Sequence, residues 1–439
     1  MNTPWDADPP ASQNSKVFFK GLIIAFIGAF LLAPTLLIQN LVEERQHRQQ
    51  EAITEVSSKW AGAQTINGPV IAIPYWQTVS DEKGMVSRVK KKAYFLPEKL
   101  TANATVVPEN RYRGIYQVTV YTTEIELGGH FGPFEFSELN IADQDVLWNE
   151  AVVYFTVSDV RGLQETLYLS WPRMRLELVP GKFADDEFPQ SLSSAIIIGD
   201  MRDSPTPFHV SLKLKGSQNL MFVPLGKTTT VSLKSSWPDP SFTGNYLPDA
   251  RMVKDSGFSA TWNILSLNRS FPQQWTNNKY DLEGTAFGVD LVVPVDAYQK
   301  SNRSVKYAIL CIVLTFTAFF LIELVYGRAL HIIQYVLVGF ALCIFYTLLL
   351  SISEYLGFDP AYAIASVATI SLVAWYVSSS LKSSRIALFV SLLLAAMYGF
   401  IFILIQSQDY ALLMGSIGLF VVLGIVMYFS RRIKALNAA

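Results

Sequence analysis

The chain has 439 residues, of which 51% are hydrophobic and 16% charged, and a formal net charge of -1 at pH 7. Its mean hydropathy is +0.28. That apolar surplus is high for a soluble protein, and a near-neutral chain without a basic, aromatic-studded patch argues against a nucleic-acid partner.

Residues 1–15 are polar, hold three prolines and show no periodicity, which predicts a disordered tail. Val17–Ile38 is the first apolar run. It is long enough to cross a bilayer, since about 20 helical residues rising roughly 1.5 Å each span a core of about 30 Å. Pro34 directly follows Ala33, the best small residue for signal cleavage, so residues 16–38 read as an uncleaved signal anchor. Residues 39–59 are polar and rich in helix formers, which predicts a helical stalk.

From Trp60 the period changes to two. "GPVIAIPYW", "GIYQVTVYTTEIELGG", "AVVYFTVSDVRG", "FHVSLKLKGS" and "TTTVSLKSSW" alternate or run in β-branched and aromatic residues between Gly, Pro, Asn and Asp. Residues 60–305 therefore predict a mostly antiparallel all-β domain, a β-sandwich or roll. Within it "GKFADDEFPQSLSSA" reads as a surface loop and "SSWPDPSFTGNYLP" as a Pro-rich turn.

Five further apolar runs fill residues 306–429: Tyr307–Tyr326, Ile332–Leu350, Tyr362–Val377, Ile386–Ile405 and Ala411–Phe429. A basic tail, 430–439, follows. Lys16 and Lys20, Arg328, Lys382 and Arg385, and Arg431, Arg432 and Lys434 all fall on one side if six spans are counted with both termini in the cytoplasm. The opposite short loops hold only Glu354, Asp359 and Asp409. The pattern predicts a multi-pass protein of a bacterial inner membrane, its β-domain exported between the first and second spans.

Chemistry is scarce. Cys311 and Cys343 are the only cysteines and both lie in apolar runs, so the β-domain has no disulfide. His47, His130, His209 and His331 lack ligand spacing, and neither a metal nor another cofactor is expected. No GxSxG, SxxK, HExxH, P-loop or GxGxxG is placed for catalysis. Glu323, His331, Gln334, Tyr335 and Glu354 form a candidate polar cluster in the membrane, since a buried ionisable group there is functional by default. Glu323 and His331 are predicted to meet at the cytoplasmic boundary, with Glu354 at the opposite face. The middle of the third run, "LVGFALCIFY", is dry, which favours anchoring over transport.

A candidate binding surface on the β-domain comprises Trp60, Asn67 and Tyr75, Asp159 and Arg161 on one face of a strand end, and Trp237, Phe242 and Tyr246. The competing expectation is aromatic plugs at the end of a sandwich and a surface ion pair worth at most about 1 kcal/mol.

"FGVDLVVPVDAYQKSNRSVKYAIL", "HIIQYVLVGFALCIFYTLLLSISEYLGF", "GHFGPFEF", "DVRG", "LKGSQNLMFVPLG" and "WPDPSFTGNYLP" resemble the CreD family, in the same order from anchor to last span. The resemblance implies a bacterial inner-membrane protein in a regulon controlled by a two-component sensor. It is associated with envelope integrity and stress tolerance, and no reaction is attached to it. The family often has His-Pro-x-Gln-Tyr where this chain has His331-Ile332-Ile333-Gln334-Tyr335, and Ser-Glu-His where it has Ser353-Glu354-Tyr355. Its last external turn commonly carries Glu-Asp, here Gln408-Asp409. The expected function is a non-enzymatic envelope protein whose β-domain binds a periplasmic protein, peptidoglycan or lipid. The alternatives are a transporter or lipid-handling protein using Glu323, His331 and Glu354, and a hydrolase of envelope polymers.

Overall fold

A computed structural model describes residues 13–80, 86–183, 185, 187–276, 279–291, 297–326, 330–407 and 410–436. The chain divides into two compact units, Glu51–Pro294 and the remainder, Met1–Gln50 with Val295–Ala439.

The second of these is helical. Its helices are α1 (Gln13–Phe30), α2 (Leu32–Trp60, which runs on into the other unit), α3 (Ala297–Lys306), α4 (Ala308–Tyr326), α5 (Ile332–Leu356), α6 (Phe358–Leu381), α7 (Ser384–Gln406) and α8 (Ala411–Leu436). Pro34 lacks the N–H that would bond the Phe30 carbonyl, and the helix is interrupted at Leu31, one turn earlier. Among the described residues four helices are long and apolar enough to cross a bilayer, or five if α3 and α4, bent by 40° at their junction, form one span. The sixth run lies in α8, whose apolar portion Leu412–Tyr428 is shorter. The run expected over Tyr362–Val377 is longer in the structure, because α6 begins at Phe358 with Asp359 in its first turn, where an acid favours the helix N-terminus.

The other unit is all-β apart from the end of α2 and short 3-10 turns. Its hub is the 17-residue strand Gln64–Ser80, buried from Ile66 to Tyr75. This strand pairs antiparallel with Val86–Phe95 and Val152–Val157 and parallel with Asn219–Phe222, at the centre of a nine-stranded sheet. The eight-stranded second sheet is built on the long hairpin Lys99–Arg113 and Tyr116–Phe131, flanked by Thr206–Ser217 on one side and Thr228–Ser235 on the other. Thr206–Ser217 alternates buried and exposed residues, so one face of that sheet meets the core and the other meets solvent. Ile71 and Phe155 of the first sheet join Leu127, Val210 and Trp262 of the second in a single hydrophobic core.

Three local expectations are corrected. "SSWPDPSFTGNYLP" contains a strand, Pro240–Gly244, paired with Phe287–Leu291. It forms the edge of the nine-stranded sheet, where proline is tolerated. "GKFADDEFPQSLSSA" ends in the strand Leu192–Ala195 and buries Asp185 and Phe188, so it is not simply a surface loop; Ala184 and Asp186 of this stretch lie outside the described residues. Asp159 and Arg161 do not share a strand face, because the strand stops at Val157 and a 3-10 turn, Val160–Gly162, follows.

Trp262 is fully buried, 5.6 Å from the Phe287 ring and 5.9 Å from Phe242 between centroids. Trp262→Ala is expected to destabilise the β unit by about 3–5 kcal/mol through lost burial and the cavity left behind. The measurement is urea unfolding of the full-length protein in detergent, followed by its β-sheet circular dichroism.

Candidate functional site

The Asp159–Arg161 pair is a clasp for the end of α2. Asp159 opens the 3-10 turn by accepting from the Arg161 backbone N–H, and its carboxylate takes the Gly62 N–H at 2.8 Å and two donors from the Arg161 guanidinium at 2.6 and 2.8 Å. Arg161 also donates to the Ser58 carbonyl at 2.8 Å, satisfying an orphan acceptor of the last helical turn. Gln64 donates to the carbonyls of Asp159 and Lys215, closing the same corner. A Cβ on Gly162 would lie 2.3 Å from the Lys215 carbonyl oxygen, which explains the glycine. Arg161 is the chief cause that holds the Asp159 carboxyl down to about 2, with burial opposing it.

The remaining surface candidates are not brought together with that pair. Tyr75 is a core residue. Trp60 is half-buried between Lys215, at 4.4 Å from its ring, and Arg111, at 5.0 Å. Trp237 is buried and bonds the Asp239 carbonyl, while Phe242 and Tyr246 pack on Trp262 and Phe287. These aromatics seal the fold. Asn67 alone lines a cavity, of about 380 Å³, together with Glu187, Phe188, Tyr280, Asp281 and Glu283.

Beside that cavity lies a cluster that the sequence reading missed. Asp185, its side chain 1% exposed, accepts from Lys92 at 2.6 Å, from the Tyr94 hydroxyl at 2.9 Å and from the Glu187 N–H at 2.8 Å. Burial, reinforced by the charge of Asp185, raises the hydroxyl pKa of both Tyr94 and Tyr154, so both stay protonated donors at any ordinary pH. The signal in the sequence was an acidic triplet, Asp185-Asp186-Glu187, set between Phe183 and Phe188, apolar anchors on both sides of a charged segment.

In the helical unit the polar candidates separate into two ends. Glu323 of α4 pairs with Lys20 of α1 and accepts from the Tyr335 hydroxyl at 3.3 Å, while Lys20 also donates to the Leu330 carbonyl at 2.7 Å. The expected Glu323–His331 contact is not made. His331 instead caps α5, its Nδ1 accepting from the Ile333 N–H and its own N–H donating to Gln334, which in turn donates to Ser380. The chain turns into α5 at His331, and a capping side chain must fold back on its own helix. At the other end of α5, Glu354 accepts from the Tyr298 hydroxyl at 3.1 Å and lies 3.7 Å from Arg45. Lys20, Arg45 and Tyr298 were missed because sequence spacing carries no information about partners some 50 to 300 positions away.

Between the two ends the interior is aromatic and neutral. Phe345 lies 4.5 Å from the Tyr398 ring and 5.4 Å from Tyr362, and the Tyr362 hydroxyl donates to the Tyr398 carbonyl at 2.8 Å. The Tyr346 hydroxyl donates to Cys311 Sγ at 3.4 Å. Among the described residues no group of three His, Cys, Asp or Glu side chains is placed to hold a metal ion. This arrangement fastens helices together.

A chain with several bilayer-length apolar helices and one large all-β unit is a multi-pass membrane protein in contact with lipid. The profile of the family described as Inner membrane protein CreD matches residues 16–435. Inner membrane protein CreD of Escherichia coli (strain K12) is 32% identical over 425 residues, covering 96% of this chain and 94% of that one. The chain belongs to the CreD family of inner membrane proteins.

Two outcomes follow from these contacts. Asp159→Asn is expected to lower the melting temperature at neutral pH. The folded carboxyl titrates at about 2 and the unperturbed one at 3.8, so the stabilisation is complete above about pH 4. It is lost as pH falls toward 2, and melting curves of the two proteins in acid should converge there. Lys20→Met and Glu323→Met should each destabilise the helical unit, whereas the double variant should cost less than the sum. A coupling of about 1–3 kcal/mol is expected from unfolding in mixed micelles, because a lone charge in an apolar helix is worse than none.

Proposed function

We propose that this protein is a non-enzymatic component of the bacterial inner membrane that supports envelope integrity under stress. Both termini lie in the cytoplasm and six helices cross the bilayer. The segments are a cytoplasmic tail 1–15, a signal anchor 16–38, a stalk 39–59, a periplasmic β-domain 60–305, a five-helix bundle 306–429 and a basic tail 430–439. The β-domain binds an envelope component or a periplasmic partner, and the helices anchor it. The distribution of Lys and Arg supports this orientation, since every short loop assigned to the periplasm lacks them.

The observation that carries the reading is the use made of the membrane's ionisable groups. Lys20 neutralises Glu323 at one end of α5, and Arg45 and Tyr298 engage Glu354 at the other. From residue 335 to 353 the helix between them contains no Asp, Glu, Lys, Arg or His. A coupled transporter needs titratable or ion-binding groups near the midplane, where this helix offers Cys343, Phe345 and Tyr346.

The test is rescue of cells that lack the protein, challenged with detergent. A variant carrying Lys20→Met, Glu323→Gln and Glu354→Gln, at membrane levels matched by immunoblot, is expected to restore resistance fully. Failure at matched abundance would overturn the anchoring reading and make transport through these acids the leading one.

A further inference from the structure

The helical unit holds an apolar cavity of about 270 Å³ between α4, α7 and the apolar portion of α8. Leu314 and Ile322, Ile386 and Met397, and Val422 and Val426 contribute to its wall. Every lining residue is apolar except Thr317, whose hydroxyl is turned onto the Val313 carbonyl at 2.7 Å. Such a wall gives water no partner, and apolar cavities of this kind stay dry. The seating of α8 opens the space. A Cβ on Gly418 would lie 2.2 Å from the Phe400 ring, so α8 approaches α7 closely at that point. Beyond it only Val422 and Val426 of α8 are half-buried among the described residues, whereas Leu419, Phe420, Leu423 and Met427 are exposed.

The length and the charge of this groove say what fills it. Ile386 and Met397 are eleven positions apart in α7, a rise of about 16 Å, close to half of a hydrocarbon core of about 30 Å. The groove is therefore as deep as one leaflet. Its Ile386 end lies where α6 turns into α7. Lys382 ends α6, and Arg385 stands in the first turn of α7 next to Ile386. Both are exposed, and neither makes a hydrogen bond or an ion pair among the described residues. Lys382 has φ of 46°, the left-handed conformation that favours glycine, so the turn carries a cation where backbone geometry alone would select none. No Asp or Glu occurs from residue 360 to 408, and Glu323, beside Ile322 on α4, is already paired with Lys20. One end of a leaflet-deep apolar groove thus carries uncompensated positive charge.

We infer that the groove between α4, α7 and α8 binds an anionic glycerophospholipid, one acyl chain lying along α7 from Ile386 to Met397 and the phosphate meeting Lys382 and Arg385. The two parts do different work. Lipid tails are as apolar as the groove, so the chain supplies packing contacts and little preference for one lipid over another. The preference comes from the headgroup, since basic residues at the mouth of a pocket between membrane helices attract a net negative charge, and a guanidinium matches phosphate geometry. A zwitterionic lipid of the same chains fills the groove equally well and lacks that attraction. The inference requires only that these helices lie in lipid, and it goes beyond the envelope reading by naming a ligand of the helical unit.

The experiment is native mass spectrometry of the purified full-length protein in detergent, with dioleoyl phosphatidylglycerol and dioleoyl phosphatidylethanolamine added at equal concentration. Retention of one phosphatidylglycerol is expected, preferred over phosphatidylethanolamine on the order of tenfold for two basic residues. Lys382→Ser together with Arg385→Ser should abolish the preference. Val422→Trp, which fills the groove from α8, should reduce retention of phosphatidylglycerol with both cations in place. Arg251→Ser together with Lys254→Ser, on the exposed strand Ala250–Lys254 of the β unit, should change nothing. Val422 is half-buried, whereas Lys382 and Arg385 are exposed, so the serine pair keeps the test open if the tryptophan variant unfolds. Equal retention of the two lipids, or a preference that survives the serine pair, would overturn the inference. Undiminished retention in a folded Val422→Trp protein would do the same, because the headgroup would then be held without the groove. A dimer that Val422→Trp dissociates would also overturn it, with a second copy as the occupant.

Discussion

A polar group withdrawn from water has to be bonded inside the protein, and that requirement shapes both units. In the helices it pairs the partly buried acids Glu323 and Glu354 with Lys20 and Arg45. Lys20 reaches Glu323 and the Leu330 carbonyl together, so a single ammonium joins α1 to α4 and to Leu330, two residues before α5. Tyr335 adds its hydroxyl to the same carboxylate. The neutral stretch between this cluster and Glu354 is what the bilayer favours, because a charge at mid-depth costs several kcal/mol and must bring its partner with it.

The same requirement organises the β unit around the strand Gln64–Ser80. Its start is held by a corner in which Asp159, Arg161, Gln64 and Gly62 bond to one another and to the Ser58 carbonyl of α2. Farther along, Asp185 is carried into the interior and bonded by Lys92 and Tyr94, which ties an otherwise polar loop to the sheet. Not every buried polar atom is bonded: Asn67 Oδ1, Gln77 Oε1, Thr123 Oγ1 and Trp275 Nε1 are among those without a partner.

Much of the architecture was legible because it follows from periodicity and charge. Apolar runs of bilayer length and alternating β-branched segments are read over a few neighbouring residues, and a helix or strand forms on that scale. The limits appeared where neighbours compete. Pro240 suggested a turn, but a sheet edge accommodates it. His331 and Glu323 were near enough in sequence to suggest a pair, yet His331 was taken by its own helix N-terminus. The aromatics Tyr75, Trp237, Phe242 and Tyr246 looked like a recognition surface and became core or its cover, because burying a ring is worth more than exposing it.

By itself the sequence determined that the chain is a membrane protein with one large β-rich domain, that its helices carry few charges, and that its polar motifs cluster near segment ends. These properties depend on composition and on spacings of a few residues. Only the tertiary structure decided which partners those polar groups take: Lys20 for Glu323, Arg45 and Tyr298 for Glu354, Lys92 for Asp185. It alone brought Asn67 beside Glu187 and Asp281, residues more than a hundred and two hundred positions apart. Hydrogen bonds and ion pairs act over a few ångströms of space, and no pattern along the chain encodes which distant segments the hydrophobic core will bring within that range.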